Sequence, residues 1–233
     1  MNQLILKIMP SKLKRILGDA YRPIKVRINP HAGLNGLDLK VLPYLPSKGF
    51  YVEAGANDGI KQSNTLFLER IHGWTGILVE PVPRLFNKCV KNRPNSNVFN
   101  YALVAPEHSG EIIELVDVDL MTSIRQHDGF TADEDALLKA EKIQGIKRKL
   151  TFAPGETITR LLQSNNVSTV DFLSLDVEGF ELHVLKGLDL DYCAPGLILI
   201  ETQKLDEVLI ALSGRYTVLE KLSHHDYLLK FNG

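Results

Sequence analysis

The stretch Gly49-Phe50-Tyr51-Val52-Glu53-Ala54-Gly55-Ala56-Asn57-Asp58-Gly59 constrains this chain more than any other. A β-prone apolar run ends in an acid, and glycines then bracket a short polar loop. That is the pattern of a strand feeding a tight turn that lets backbone approach a ligand. The stretch also opens an alternation. Residues 62–71 predict a helix with Ser63 as a candidate cap, residues 76–80 a second buried strand, and Pro83 suits the first turn of the next helix. Residues 98–103 read as a third strand. Strands separated by helices require right-handed crossovers, hence a mostly parallel sheet with helices on both faces.

The rhythm breaks in the middle. Residues 111–116 and 148–152 are strand-like, and the insertion between them, at about 117–147, is too long for a simple loop. Thr131-Ala132-Asp133-Glu134 has the form of a capping box and predicts a helix over 132–143. Two readings of the insertion stand, a lid over a site or a surface excursion. Regularity returns with a helix at 156–162, a strand at 170–175 ending at Asp176, a helix at 178–185 and a strand at 197–200 ending at Glu201. A helix at 205–212 precedes two strands, 216–222 and 227–231. Only Ser223-His224-His225-Asp226 separates these last two, too little for a crossover helix, so they should form an antiparallel hairpin.

Residues 1–45 differ from the rest. Apolar Leu4, Ile5, Ile8, Leu13, Ile16 and Leu17 interleave with Lys7, Lys12, Lys14 and Arg15, and Pro10 interrupts any long helix. This basic amphipathic arm either touches a membrane or acidic partner or packs on the core. Pro43 and Pro46 mark a boundary, so one domain should occupy 46–233. A net charge of -1 gives no field favouring nucleic acid. Cys89 and Cys193 are too few and too far apart for a metal or disulfide framework, which points to a reducing compartment. No apolar run is long enough to span a bilayer, and the first residues make a poor signal peptide. A cytoplasmic location is expected.

In an open α/β sheet the ligand lies outside the carboxyl ends of the strands. The polar residues there are acidic: Glu53, Asp58, Glu80, Asp176, Glu178, Glu181 and Glu201. Such a set disfavours a phosphate-rich ligand, and neither glycine-rich phosphate motif is present. Glu53, ahead of the first loop glycine, suits an ammonium. Glu80, about 20 residues beyond the loop, stands where an acid accepts ribose hydroxyls. A nucleoside with a cationic amino-acid tail and no phosphate fits both acids, and that ligand is S-adenosylmethionine.

Four blocks then carry a resemblance: 53–59, Ser63-Asn64-Thr65, Val79-Glu80-Pro81, and the long run from Asp171 to Glu181. Together they resemble the FkbM-type methyltransferases over about residues 50–231. The resemblance implies a Rossmann-like class I methyltransferase fold, with a seven-stranded, mostly parallel sheet, an antiparallel C-terminal hairpin and helices on both faces. It implies S-adenosylmethionine-dependent O-methylation of a glycan or small-molecule hydroxyl. The expected cofactor set is Glu53, Gly55, Ala56, Asn57, Asp58, Gly59, Ser63, Asn64, Glu80, Pro81, Ala102 and Asp176. Asp176 is the first choice of base, with Glu178 or Glu201 binding substrate hydroxyls and His127 a further candidate. A second mechanism has Asp176, Glu178 and Glu201 hold Mg²⁺ or Mn²⁺. Two other readings are a nicotinamide-dependent oxidoreductase, which Glu53 disfavours, and a non-catalytic scaffold docked through the arm on a membrane or protein partner.

Overall fold

The structure is a computed structural model that describes residues 30–127 and 130–233, without the side chains of Gln126, His127 and Phe130. Its strands are β1 (Phe50–Ala54), β2 (Thr75–Val79), β3 (Asn97–Phe99), β4 (Ala102–Leu103), β5 (Ile112–Asp117), β6 (Ser123–Ile124), β7 (Gln126–His127), β8 (Phe130–Thr131), β9 (Lys149–Glu156), β10 (Phe172–Leu175), β11 (Leu197–Glu201), β12 (Tyr216–Lys221) and β13 (Asp226–Phe231). The helices are α1 (Leu37–Val41), α2 (Leu66–His72), α3 (Pro83–Asn92), α4 (Glu134–Gln144), α5 (Ile158–Ser164), α6 (Glu181–Lys186) and α7 (Leu205–Ala211).

Seven strands form one sheet in the order β12-β13-β11-β10-β1-β2-β3. β1 runs parallel to β10 and β2, and β10 parallel to β11. β13 is antiparallel to both β11 and β12, so the closing hairpin slots its second strand inside its first. The expected Rossmann-like fold is therefore present. Because β1, β2 and β10 are covered on both faces, their apolar runs are continuous. Successive side chains still alternate: Val52 and Ala54 join one core cluster, Tyr51 the other. Glu53 shares the face of Tyr51, and this places its carboxylate among buried groups.

Four local expectations need correction. The third strand does not run through 98–103. It splits at Asn100 and Tyr101, β3 staying in the main sheet and β4 pairing with β9 in a four-stranded sheet of order β4-β9-β5-β6. The second helix starts at Leu66 rather than at residue 62, although Ser63 does cap it as expected, its hydroxyl accepting from the Leu66 N–H at 3.1 Å while donating to Glu53. Asp133, not Thr131, caps α4, accepting from the N–H groups of Asp135 and Ala136. Residues 178–180 are a turn, with Glu178 at φ 54 and Gly179 at φ 93, so α6 begins three residues later than its acids suggest. Of the N-terminal arm, Leu37 and Val41 pack in the core beside Trp74 and Leu68. Its first 29 residues lie outside the described ones. Among the described residues no helix is long and apolar enough to cross a membrane.

Candidate active site

A cleft opens at the carboxyl ends of β1, β2 and β10. Of the expected site residues it is lined by Glu53, Gly55, Asn57, Ser63, Asn64, Glu80, Pro81, Ala102, Asp176 and Glu178. Ala56, Asp58 and Gly59 do not line it. They build the turn instead: Asp58 accepts from the N–H groups of Ile60 and Lys61, and the Ala56 N–H donates to Val79. The loop glycines are required by protein packing. A Cβ on Gly55, at φ +84, would fall 1.9 Å from the carbonyl oxygen of Asp176. β1 and β10 can close on each other only if that methyl is missing.

Glu53 is 4% exposed and its carboxylate is engaged inside the protein. One oxygen accepts from the hydroxyls of Ser63 (2.9 Å) and Thr65 (2.7 Å), the other from the N–H of Asn64 (2.8 Å). Behind it lies Arg93, fully buried, with a guanidinium nitrogen 3.5 Å from Glu53. Arg93 donates to Glu69 at 2.7 Å, to Tyr51 at 2.8 Å, to Thr65 at 2.9 Å, and to Gly59 and Ser63 at 3.1 Å. Its fork of donors is fully used, the arrangement a buried arginine needs. Glu53 is thus the front of a network that fixes residues 59–65 against β1, which leaves little of it for a cofactor ammonium.

Glu80 ties two loops together, accepting from the N–H groups of Asn57 (2.7 Å) and Val82 (2.8 Å). Burial pushes its carboxyl up to about 7, and those two N–H donors resist the shift. The start of the insertion also closes on the cleft. Asp119 and Thr122 line it, the Asn57 amide reaches the Asp119 carbonyl at 3.3 Å, and Lys61 pairs with Asp119 at 2.9 Å. Burial raises the Asp119 carboxyl, but the hydrogen bond and charge of Lys61 outweigh it and hold it below the usual range. Residues 117–124 therefore form a wall of the cleft, and Arg84 fastens that wall through Asp117.

Asp176 and Glu178 face the same space from the end of β10. Burial, then the charges of Glu178, Glu201, Glu181 and Asp226, raise the Asp176 carboxyl well above the ordinary range. Burial, then Glu201 and Glu181, push Glu178 up to about 8. Glu181 is bound to the turn, accepting from the N–H groups of Val177 and Gly179. Glu201 does not line the cleft; it lines a smaller pocket that adjoins it through Asp176. His127 lies in β7, and its side chain is outside what is described. No group of three or more His, Cys, Asp or Glu among the described residues could hold a metal ion, so the metal alternative for Asp176, Glu178 and Glu201 draws no support.

Sequence reasoning missed Arg93, Lys61 and Asp119. Arg93 stands alone before a proline at the end of α3, and nothing in its neighbourhood marks it as buried. Lys61, inside the loop region, was the one legible signal, a lone cation among acids.

A model of the methyltransferase FkbM domain matches residues 53–229. Similar solved structures include M. capricolum TrmK in complex with S-adenosyl-homocysteine, at 11% identity and TM-score 0.43, over 83% of this chain and 65% of that one. Two others are a TehB-like SAM-dependent methyltransferase from Corynebacterium glutamicum (9% identity, TM-score 0.43, 93% and 95% covered) and Aeropyrum pernix fibrillarin with natively bound S-adenosyl-L-methionine (16%, 0.39, 83% and 70%). The chain thus spans just under two thirds of the first of these. No curated protein matches it.

Proposed function

The chain belongs to the methyltransferase FkbM domain family, and from that premise we propose that it methylates a hydroxyl oxygen of a glycan or small molecule, using S-adenosylmethionine. The family assignment leaves the nicotinamide alternative without support. The lining of the cleft suits a nucleoside that carries no phosphate. Among the described residues that line it the one lysine, Lys61, is already paired with Asp119, and the other charged side chains are acids. Glu80, with lone pairs left after its two N–H bonds, would hold ribose hydroxyls, and Pro81 and Ala102 would flank the base. Gly55, Asn57, Ser63 and Asn64, braced by Glu53, would hold the methionine end.

Bound, the sulfonium supplies an already activated methyl group. What remains for the protein is alignment, worth roughly 7–11 kcal/mol of barrier, and proton removal. The cofactor would supply the methyl to the acceptor oxygen, and Asp176 would take the proton that the hydroxyl gives up. Burial and its acidic neighbours raise its affinity for a proton, so it is the ionised form of Asp176 that serves as the base. Glu178 holds a neighbouring hydroxyl. The observation that carries this reading is the placement of Glu80 and Asp176 across one cleft, at the ends of β2 and β10.

Isothermal titration with S-adenosylhomocysteine and NAD tests the cofactor. Binding of NAD alone would overturn it. A tritiated-methyl screen over hydroxylated glycans and small molecules, with and without EDTA, tests the reaction. Label found only on nitrogen or carbon would refute transfer to oxygen, and cofactor binding with no turnover on any hydroxyl acceptor would favour a scaffold.

A further inference from the structure

A separate pocket meets the cleft at Asp119, which lines both. Its charged lining comes from three stretches of chain: Arg84 and Lys88 on α3, Asp117 and Asp119 at the start of the insertion, and Lys147 and Lys149 where the insertion runs into β9. The chain holds these cations close together. Arg84 and Lys88 stand four residues apart on one helix face, where side chains are neighbours, and Lys147 and Lys149 are two residues apart.

The acids nearby are already committed. Arg84 holds Asp117 by both carboxylate oxygens, its Nε at 2.7 Å from one of them, and Lys61 reaches Asp119 at 2.9 Å. Glu134 and Glu141 of α4 are taken by Arg148, at 2.7 and 3.5 Å. Among the described residues Lys88, Lys147 and Lys149 make no ion pair. Three ammonium groups thus line one pocket without a counter-charge of their own, in a chain whose net charge is -1. Like charges so placed repel one another, and an entering anion offsets all three at once.

We propose that this pocket holds a phosphate group of the acceptor, so that the substrate is a phosphorylated sugar whose free hydroxyl enters the cleft. Lysine side chains only donate hydrogen bonds, and a phosphate offers them several acceptor oxygens and up to two charges. A carboxylate, with one charge, matches three ammonium groups less well. The cleft has the opposite character, since Glu80, Asp176 and Glu178 line it and its lysine is paired. The phosphate end is repelled there and drawn to the lysines, which settles which end of the acceptor goes in. Lys88, Lys147 and Lys149 are exposed, so this recognition works through charge more than shape and is screened by salt. The proposal rests on the methyl-transfer reading for the group transferred, though the anion preference of the pocket does not depend on it.

The test titrates the phosphates of glucose, mannose and galactose, their parent sugars and inorganic phosphate into the full chain by calorimetry, with and without S-adenosylhomocysteine. The sugars and sugar phosphates are also assayed as substrates with tritiated-methyl cofactor. At least one sugar phosphate should bind about tenfold or more tightly than its parent sugar, as charge-assisted hydrogen bonds allow, and more tightly than inorganic phosphate. That advantage should shrink as salt is added. With Lys88→Gln, Lys147→Gln and Lys149→Gln combined, it should vanish, and the KM for the sugar phosphate should rise about tenfold with kcat unchanged, because the lost contact is the same in ground and transition states. Cofactor affinity and thermal unfolding should stay as in the parent chain. No preference for any sugar phosphate, a preference that the three substitutions leave intact, or inorganic phosphate bound as tightly as the sugar phosphates overturns the proposal. Sedimentation with phosphatidic acid vesicles that the substitutions abolish, without a sugar phosphate preference, assigns the pocket to a lipid surface and overturns it too. Lysine-dependent binding of a sugar phosphate without methyl transfer supports the pocket assignment and counts against the methyl-transfer reading alone.

Discussion

Glu53 and Glu69 are buried beside Arg93, in a network where every guanidinium donor and nearly every carboxylate oxygen has a partner. Asp176, Glu201 and Asp226, a short distance away on the next strands, share a pocket that no cation among the described residues lines. The first region takes its carboxylates fully out of water, whereas in the second Asp226 is buried, Asp176 half-buried and Glu201 exposed. In the first the cost of burial is offset internally, and the product is a fixed loop. In the second, burial and the neighbouring acids make Asp176 and Glu201 hold their protons more tightly. The contrast separates acids that build the site from acids free to act in it, a distinction that residue type alone does not make.

Substitutions that touch one region and spare the other should expose the difference. The largest effect is expected from Asp176→Asn: methyl transfer should fall by about 10²–10⁴-fold, the worth of a general base. Affinity for S-adenosylhomocysteine should persist, and stability should not drop, since one of several like charges is removed. A variant that turns over normally would move the base elsewhere. Arg93→Met should do the reverse, costing about 3–5 kcal/mol in urea unfolding because Glu53 and Glu69 lose their buried counter-charge. A loss below about 1 kcal/mol would show that the network is dispensable. Gly55→Ala tests the seam between the regions. Overpacking against the Asp176 carbonyl should cost about 1–3 kcal/mol, and the positive φ about 1–2 kcal/mol more.

The smallest effect, and the most diagnostic, is in pH. Glu178 has an ordinary value of 4.5 and is pushed up to about 8 in the fold, by burial and then by Glu201 and Glu181. Between those values the folded chain holds a proton that the unfolded chain has released. Its contribution is therefore complete below the lower value and is lost as pH rises to the upper one, with a slope of at most ~1.4 kcal/mol per pH unit for one group. Glu69 has the opposite sign: Arg93 and the hydrogen bonds outweigh burial and hold it low, so its contribution is lost as pH falls. Thermal unfolding from pH 5 to 8.5 should show Glu178→Gln gaining on the parent chain as pH rises. A difference that shrinks with pH would contradict the assignment.

Much of this was legible because strands buried on both faces cannot hide. The runs ending at Glu53, Glu80, Asp176 and Glu201 announce the sheet, and the four residues between the last two strands leave only a hairpin. The ends of those strands named the acids of the cleft. What was not legible is partnership. Glu53 looked available for a cofactor because its competitors, Ser63, Thr65 and Arg93, reach it only in three dimensions. Strand 98–103 read as continuous because Val98 and Leu103 are equally apolar, although they serve different sheets. Asp133 won the cap of α4 from Thr131 because its carboxylate reaches two N–H groups at once.

The split between β3 and β4 has a further consequence, for how such a chain can change over time. Ala102 lies beside Gly155, and Leu103 beside Glu156. The excursion between them thus departs from and rejoins the main body at one parallel seam, like a handle with both ends bolted to the same plate. Lengthening a loop whose ends already meet costs little, about 0.6 kcal/mol for each doubling. The wall that Asp119 and Thr122 place on the cleft can be recut, lengthened or exchanged by altering this handle while the seven-stranded sheet keeps its register. Diversification of what the cleft admits is open to this architecture without redesign of what it is built on.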